Sequence, residues 1–401
     1  MPTIGLLKNT VQTYAWGSTS AIQELLGEKN ISHEPVAELW VGAHPKAPSL
    51  GNWDGQWTAL TDLIAQNPQA ILGNQVAKKY HNQLPYLFKV LAAAKPLSIQ
   101  AHPGRAMAQK GFELENQQGI PMDAAQRNYK DANHKPECIC ALSSFWALYG
   151  FRGIADILSL MGKICPIGLD SELDQLKNDP DPFGLKIFFS KLISMAAGQK
   201  KQVIDEATQN AKQRLGQDPA FHWTAKLAVE YPLDIGLLSP LFLNLVQLKP
   251  GQALYLPAGE LHAYLDGTGI ELMANSDNVL RCGLTAKHVD VPELLKVLNF
   301  KPRKVEILNK RKIDKTETSF ASFAEEFVLS VISISGDDDY RKPIVNSAEI
   351  LLCTEGEARL ADHGSNHILH IKKGDSAIIC ASAKSYTLKG DAVFYKAAVP
   401  V

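Results

Sequence analysis

At 401 residues, with 45% hydrophobic and 21% charged side chains, the chain is long enough for about two or three globular cores, and its composition is not disordered, fibrous or membrane-like. Its formal net charge of -1 gives no global field to draw nucleic acid or an anionic membrane, so an anionic ligand must be held by local cations. Six scattered cysteines (Cys138, Cys140, Cys165, Cys282, Cys353, Cys380) include no Cys-x-x-Cys pair, which points to reduced thiols rather than a disulfide framework or a thiolate metal site.

The first residues lack the basic start and sustained apolar core of a secretory signal. The longest greasy tract, 235–248, is broken by Ser239, Pro240 and Asn244, so a cytoplasmic protein without a membrane partner is expected. Residues 1–80 mix Gly/Pro turns with two short predicted helices, 20–26 and 60–66, the second stopped by Asn67-Pro68. Between them an apolar run from Ala37 to Val41 ends in the turn Gly42-Ala43-His44-Pro45; taken alone, Trp16, Trp40 and His44 read as core and turn packing. The strand-like run 84–91 carries Lys89 among apolar neighbours. In 97–103 the period-two pattern puts Ser98, Gln100 and His102 on one face and Ile99 and Ala101 on the other, so polar groups line an interior or a pocket. Pro103-Gly104 ends that strand and 105–117 reads as a helix.

The cluster Asn133-His134-Lys135-Pro136-Glu137 opens the strand 138–142. Lys135 and Glu137, two apart, face one pocket, while Cys138 and Cys140 read as two small buried residues on one strand face. From 151 to 245 the apolar period changes to 3.6, in Ile154, Ile157, Leu158 and Met161 and again in Phe188, Leu192 and Met195. A charged amphipathic helix is expected at 203–215, and Asp179-Pro180-Asp181-Pro182 punctuates the run. This is a helical module inserted between β portions, without a catalytic constellation of its own.

In the stretch 248–287, a Pro250-Gly251 turn launches the strand 253–256, and Pro257-Ala258-Gly259 breaks it. His262 and Tyr264 then resume an alternating strand whose continuation carries Glu271 and Met273 inward. A short helix follows at 291–296. The basic linker after it (Lys301, Arg303, Lys304, Lys310, Arg311, Lys312) reads as a solvated face rather than a nucleic-acid site. Short strands return from 325 onward. Here 371–381 aligns without gaps on 248–258, so Ser385 stands where His262 does and Thr387 where Tyr264 does. The repeat keeps the turn-and-strand frame and loses the ligand. The expected fold is therefore mainly β with a helical insert: two cupin-type jelly-roll barrels plus an α-helical domain. Residues 1–150 and 246–300 would form the catalytic barrel, 151–245 the helical domain, and 301–401 a barrel lacking metal ligands. His363, His367 and His370 read as a solvated hairpin around Gly364-Ser365-Asn366, not as a second metal site.

Gln100, His102, Glu137 and His262 come from three strand regions and can all point inward. Two imidazoles, a carboxylate and an amide oxygen suit a divalent ion such as zinc, with manganese, iron and cobalt as competitors. Without thiolates, and with room for water, such a site is catalytic in character.

Several motifs resemble those of the type I phosphomannose isomerase family, in the same order: Gln12-x-Tyr14-Ala-Trp16-Gly, Ala37-Glu-Leu-Trp40-x-Gly-Ala-His44-Pro, Ser98-Ile-Gln100-Ala-His102-Pro, Asn133-His134-Lys135-Pro-Glu137, Pro257-x-Gly259-x-x-His262-Ala-Tyr264 and Ser276-Asp277-Asn278-Val279-x-Arg281-x-Gly-Leu-Thr285-x-Lys287. The resemblance extends from the N-terminus to about residue 290. It implies a zinc enzyme, one ion per chain, that interconverts D-mannose 6-phosphate and D-fructose 6-phosphate. It also implies that the positions of Gln100, His102, Glu137 and His262 bind the metal and that Arg281 is catalytic. One departure, Ala286-Lys287-His288 where the family commonly has Pro-Lys with an aromatic, falls on the phosphate side.

An aldose-ketose isomerisation moves a proton between C1 and C2 through a cis-enediol. Arg281 is suited to the developing oxyanion and unsuited to being the base. Lys135, Glu271 and His134 are the candidates for moving the proton. Lys89, Lys287 and Ser98 are candidates for the 6-phosphate, and Tyr264, Asp277 and Trp16 for further substrate contacts. Lys89 also reads as a snorkelling side chain. The rival readings are a metal-dependent cupin oxygenase and a non-catalytic sugar-phosphate sensor; Gln100 as fourth ligand beside a lysine and an arginine favours isomerisation, and no segment resembles an output domain. A monomer with a phosphosugar substrate and no nucleic-acid partner is expected.

Overall fold

The computed structural model describes residues 3–28, 32–53, 55–321, 323–365 and 367–401; Asn366 of the expected histidine hairpin lies outside them. The chain is mostly β, in two large antiparallel sheets joined by a block of helices. The strand His262–Ala274 organises the first sheet. Its first half runs beside Phe145–Phe151, with His262 opposite Tyr149. Its second half runs between Tyr86–Ala93 and Glu137–Ala141, with Glu271 opposite Lys89 on one side and Ile139 on the other. The change of partner falls at a register shift between Tyr264 and Asp266 and at Gly267, whose φ of +119° is costly for any other residue. A Cβ there would also stand 2.5 Å from the Ser144 carbonyl oxygen. The bend lets one strand turn His262, Tyr264 and Glu271 toward one interior, where the Tyr264 hydroxyl lies 3.5 Å from Glu137.

Alternation decides what covers the back of this sheet. Ile99, Ala101, Leu148, Ala263, Leu265, Leu280 and Cys282 take the outer face and share one core with the helical block, including Met161, Phe188 and Phe221. The helices run from Ile154–Ile164 to Ser239–Phe242. Two Asp-Pro pairs start helices as capping chemistry requires: Asp181 accepts from the Gly184 amide ahead of Pro182–Ile193, and Asp218 from the Ala220 amide ahead of Pro219–Glu230. The charged helix expected at 203–215 spans Ala197–Lys212 instead, because the Gln-Lys-Lys-Gln start shows no apolar period although it is helical. No helix among the described residues is long and apolar enough to cross a membrane.

The internal repeat holds in the backbone. Ser376–Ile379 is a strand where the alignment places it against Ala253–Leu256, and the glycines that launch the two strands, Gly251 and Gly374, have φ of +78° and +90°. Glu137 lies opposite Leu256, and Glu349 lies opposite Ile379, the aligned counterpart of Leu256. Leu243–Leu248 pairs with Phe145–Phe151 as Ile368–Lys372 pairs with Glu349–Asp362. The helical block thus occupies a connection that the C-terminal copy makes with a short turn.

The strand pairing crosses the expected boundaries at the N-terminus. Ile4–Lys8 pairs with Ser376–Ile379, and Leu50–Trp53 and Gln56–Ala59 extend the same sheet, so these N-terminal strands belong to the sheet of 301–401. Period two puts Ile4 and Leu6 on one face and Leu7 on the other, but does not say which strand they meet. The two sheets then share a core, with Val41, Phe88 and Val90 from one and Ile350, Leu352 and Ile378 from the other.

Candidate metal centre

Three neighbouring strands set a row of polar side chains on the inner face. Arg281 is opposite Gln100, and Gln100 is opposite His262 on its other side, so all three project the same way. His102 follows the end of strand Ile99–Ala101, and Glu137 begins the strand Glu137–Ala141. The candidate ligand atoms of His102, Glu137 and His262 all lie within 4.8 Å of one another, in full burial. His102 Nε2 is 3.2 Å from Glu137 Oε1, and His262 Nε2 is 3.4 Å from Glu137 Oε2.

The tautomers follow from the partners. His102 Nδ1 is 2.7 Å from the Asn278 carbonyl oxygen and His262 Nδ1 is 3.0 Å from that of Glu260. A carbonyl only accepts, so each Nδ1 carries the hydrogen and each Nε2 is left with a bare lone pair. Those Nε2 atoms are buried and make no hydrogen bond. Two lone pairs and a carboxylate converging in a buried interior form a donor set that a divalent cation would satisfy, and Gln100 beside them can add an amide oxygen. Burial, with Lys135 nearby, pushes the His102 imidazole down to about 4, so it stays neutral. Burial alone would raise the Glu137 carboxyl, but Lys135 and His102 outweigh it and hold Glu137 well below the usual carboxylate range.

Asn278 was visible only as part of a motif, yet it ties the centre together. Its own side chain accepts from the Lys130 and Asp131 amides and donates to the Asp131 and Asn133 carbonyls, while its carbonyl receives His102. The loop that leads to Lys135 is thereby anchored to a ligand. Lys135 is buried with its Nζ 2.9 Å from Glu137 Oε1.

A second buried group lies beside the first. Lys89 Nζ is 2.9 Å from Glu271 Oε2, 3.6 Å from Glu38 Oε1 and 5.5 Å from the Trp40 ring, whose Nε1 donates to Glu38. Burial opposes the Lys89 charge, but Glu271 and Glu38 more than offset this and hold it protonated. Lys89 therefore has two carboxylate partners and a buried ammonium, unlike a snorkelling side chain. Glu271 is the opposite case: burial, assisted by Glu137, raises its carboxyl despite Lys89. Tyr264, expected at the substrate, is buried with its hydroxyl 3.5 Å from Glu137 Oε2.

At the rim, Arg281 is half-buried and Lys287 is exposed; burial lowers the Lys287 ammonium, and Arg281 and Lys130 lower it further. These cations face one another and form no ion pair among the described residues, a cluster that an anion would relieve. Lys130 carried no motif signal. Asp277 pairs with Lys46 at 2.6 Å, beside His44. Tyr14 stacks on Trp16 at 5.8 Å, and the Trp16 side chain packs on the interior cluster that includes Tyr264. Ser98 is half-buried at the head of Ile99–Ala101. His134 is turned elsewhere: its Nε2 lies 2.8 Å from Glu326 and 2.7 Å from Arg105, while the next residue, Lys135, reaches Glu137. All six cysteines are buried and free, and Lys310–Lys312 is an exposed edge strand.

A buried His-Glu-His set with proton-free nitrogens, inside an antiparallel β scaffold, defines a metal-binding β protein. Residues 4–154 match the family model for the phosphomannose isomerase type I catalytic domain, and residues 316–397 match that for the mannose-6-phosphate isomerase cupin domain. The chain is 43% identical over 388 residues to the mannose-6-phosphate isomerase of Escherichia coli (strain K12), covering 96% of each. It is 32% identical over 417 residues to that of Homo sapiens, covering 97% of this chain and 96% of the other. A zinc-bound mannose 6-phosphate isomerase superposes with a TM-score of 0.91 at 39% identity over 100% of both chains. A mutant phosphomannose isomerase from Salmonella typhimurium gives 0.92 at 39%, again over 100% of both. The chain belongs to the type I phosphomannose isomerase family.

Proposed function

We propose that the chain interconverts D-mannose 6-phosphate and D-fructose 6-phosphate, with one zinc ion held by Gln100, His102, Glu137 and His262. The observation that carries the reading is the convergence of two proton-free imidazole nitrogens on Glu137, in the same row as Arg281. Zinc bound there supplies a Lewis acid for the C1 and C2 oxygens of the sugar.

The side chains account for the rest. Arg281 lies one strand from Gln100 and stabilises the oxyanion that develops as the carbonyl moves, through a cis-enediol. Glu271 moves the proton between C1 and C2: a carboxyl raised by burial, beside a neighbour held ionised, is the pattern that separates a proton-transfer group from a ligand. Lys89, itself paired with Glu38, holds Glu271 in place. Lys135 is the second candidate for the proton, from its position on Glu137. Lys287, Lys130 and Ser98 receive the 6-phosphate at the rim, while Asp277 and Trp16 bound the mouth. His134 is not assigned the proton, since its contacts run to Glu326 and Arg105. We read the architecture as two jelly-roll barrels with the helical block inserted in the first, and since one chain supplies every residue of the site, a monomer suffices.

The test is incorporation of solvent deuterium at C2 during turnover. Exchange is expected in the parent chain and lost in Glu271→Gln, with Lys135→Ala retaining it; the reverse pattern would move the proton to Lys135. Oxygen uptake in place of exchange would replace the isomerase by an oxygenase.

A further inference from the structure

Glu326 comes from the C-terminal part of the chain and is 4% exposed, yet it belongs to no element of the chemistry above. One carboxylate oxygen, Oε1, is 2.6 Å from an Arg105 nitrogen and 2.8 Å from His134 Nε2. The other, Oε2, is buried without a partner. A carboxylate left half-satisfied in the interior is costly, and its position is set by what surrounds it. Phe327, next in the chain, is fully buried in the core shared by the two sheets. Glu325, before it, accepts from the Tyr80 hydroxyl through its carbonyl at 2.6 Å and pairs with Lys79 at 3.0 Å. Glu326 is thus presented on a firmly held backbone.

What it grips is the segment that delivers Lys135 and Glu137. On one side that segment is tied to Asn278, through the Asn133 carbonyl, and to Ala274, whose amide reaches the Pro136 carbonyl at 3.1 Å. On the opposite side its described side-chain ties are those of His134 to Glu326 and Arg105. We propose that Glu326 is a positioning residue of the isomerase site: by clamping His134 from the C-terminal sheet it sets where Lys135 and Glu137 stand. The proposal rests on the isomerase reading for its kinetic consequence only, and it gives the ligand-free C-terminal copy a share in the site of the other.

The experiment uses the full-length, zinc-loaded chain. Glu326→Ala and Glu326→Gln are compared with Glu326→Asp and with the control Glu325→Ala, whose side chain makes a surface pair. Three quantities are read: kcat and KM for mannose 6-phosphate, zinc per chain, and the side-chain nitrogen resonances of His134. Direct partners of a metal ligand are typically worth on the order of 10- to 100-fold, and Glu326 acts one contact further out, through His134, so the lower end is expected. Glu326→Ala is expected to lower kcat by at least tenfold with KM and zinc content near the parent values, to shift the His134 resonances, and to be partly rescued by Asp. Glu326→Gln keeps the shape and is expected to fold and to fall between the two. Parent-like kcat in Glu326→Ala, or lowered kcat with unmoved His134 resonances, would overturn the proposal. If the parent chain itself fails to turn over mannose 6-phosphate, the isomerase reading falls, and the His134 resonances alone decide whether the clamp exists.

Discussion

Glu137 and Glu271 share one interior and are driven in opposite directions, Glu137 held well below the usual carboxylate range and Glu271 raised by burial. The environment is built from charges that sequence spacing does not show. Lys89 was legible as a lysine in an apolar strand, but Glu271 is 182 positions away along the chain and becomes its neighbour only through strand pairing. The same holds for Lys130 and Glu326. By contrast, Gln100, His102, Glu137 and His262 could be read from alternation and motif spacing, because local period decides which face a strand residue takes. At the rim, Lys287→Ala removes a charge-assisted contact to phosphate of about 1.5 kcal/mol or more, so KM for mannose 6-phosphate is expected to rise roughly tenfold with kcat little changed; an unchanged KM would remove Lys287 from the phosphate site. His102 gives a pH prediction. Its folded value of about 4 lies below the ordinary 6.5, so its contribution to stability is complete above 6.5 and is lost as pH falls from there toward 4. Chelated protein is expected to lose roughly 3 kcal/mol over that window, more than a His102→Asn variant loses. Equal losses in both, followed by thermal unfolding, would contradict the assignment.

Among the elements, the helices at Leu60–Gln66 and Arg105–Gln117 and the strand Ala253–Leu256 fall where the sequence puts them, since each is bounded by its own Pro or Gly punctuation. The strand Ile4–Lys8 shows the limit of that reading. It drew no prediction, and its partner Ser376–Ile379 lies at the far end of the chain. The register between the two copies also shows which groups stand at the matching level of the second. Glu349 stands where Glu137 does, and Lys396 Nζ lies 2.8 Å from Glu317 and 3.7 Å from Glu349, with the Tyr340 hydroxyl at 3.0 Å. The Tyr386 hydroxyl donates to Glu349 at 2.6 Å. An ammonium thus sits among carboxylates at the level where the first copy gathers its ligands. Removing one partner of a buried pair leaves charge uncompensated, so Lys396→Met is expected to destabilise the chain by about 3–5 kcal/mol in denaturant unfolding; a loss below about 1 kcal/mol would mean that Lys396 does not neutralise these carboxylates.

At the scale of the molecule, each layer supports the next. The helical block covers the outer face of the strands that carry Gln100, His262 and Arg281. The C-terminal sheet covers the outer face of those that carry Lys89, Glu271 and Glu137. The interior between them holds the polar side chains of the site beside an apolar cluster that includes Leu91, Ile139 and Tyr264, and the central claim is that this interior is a zinc site that isomerises a phosphosugar. The direct measurement is a coupled assay for fructose 6-phosphate formed from mannose 6-phosphate, run on the purified protein, after chelation, and after zinc is returned. Activity lost on chelation and restored by zinc is the predicted result. Fully metallated, folded protein that forms no fructose 6-phosphate would contradict the account.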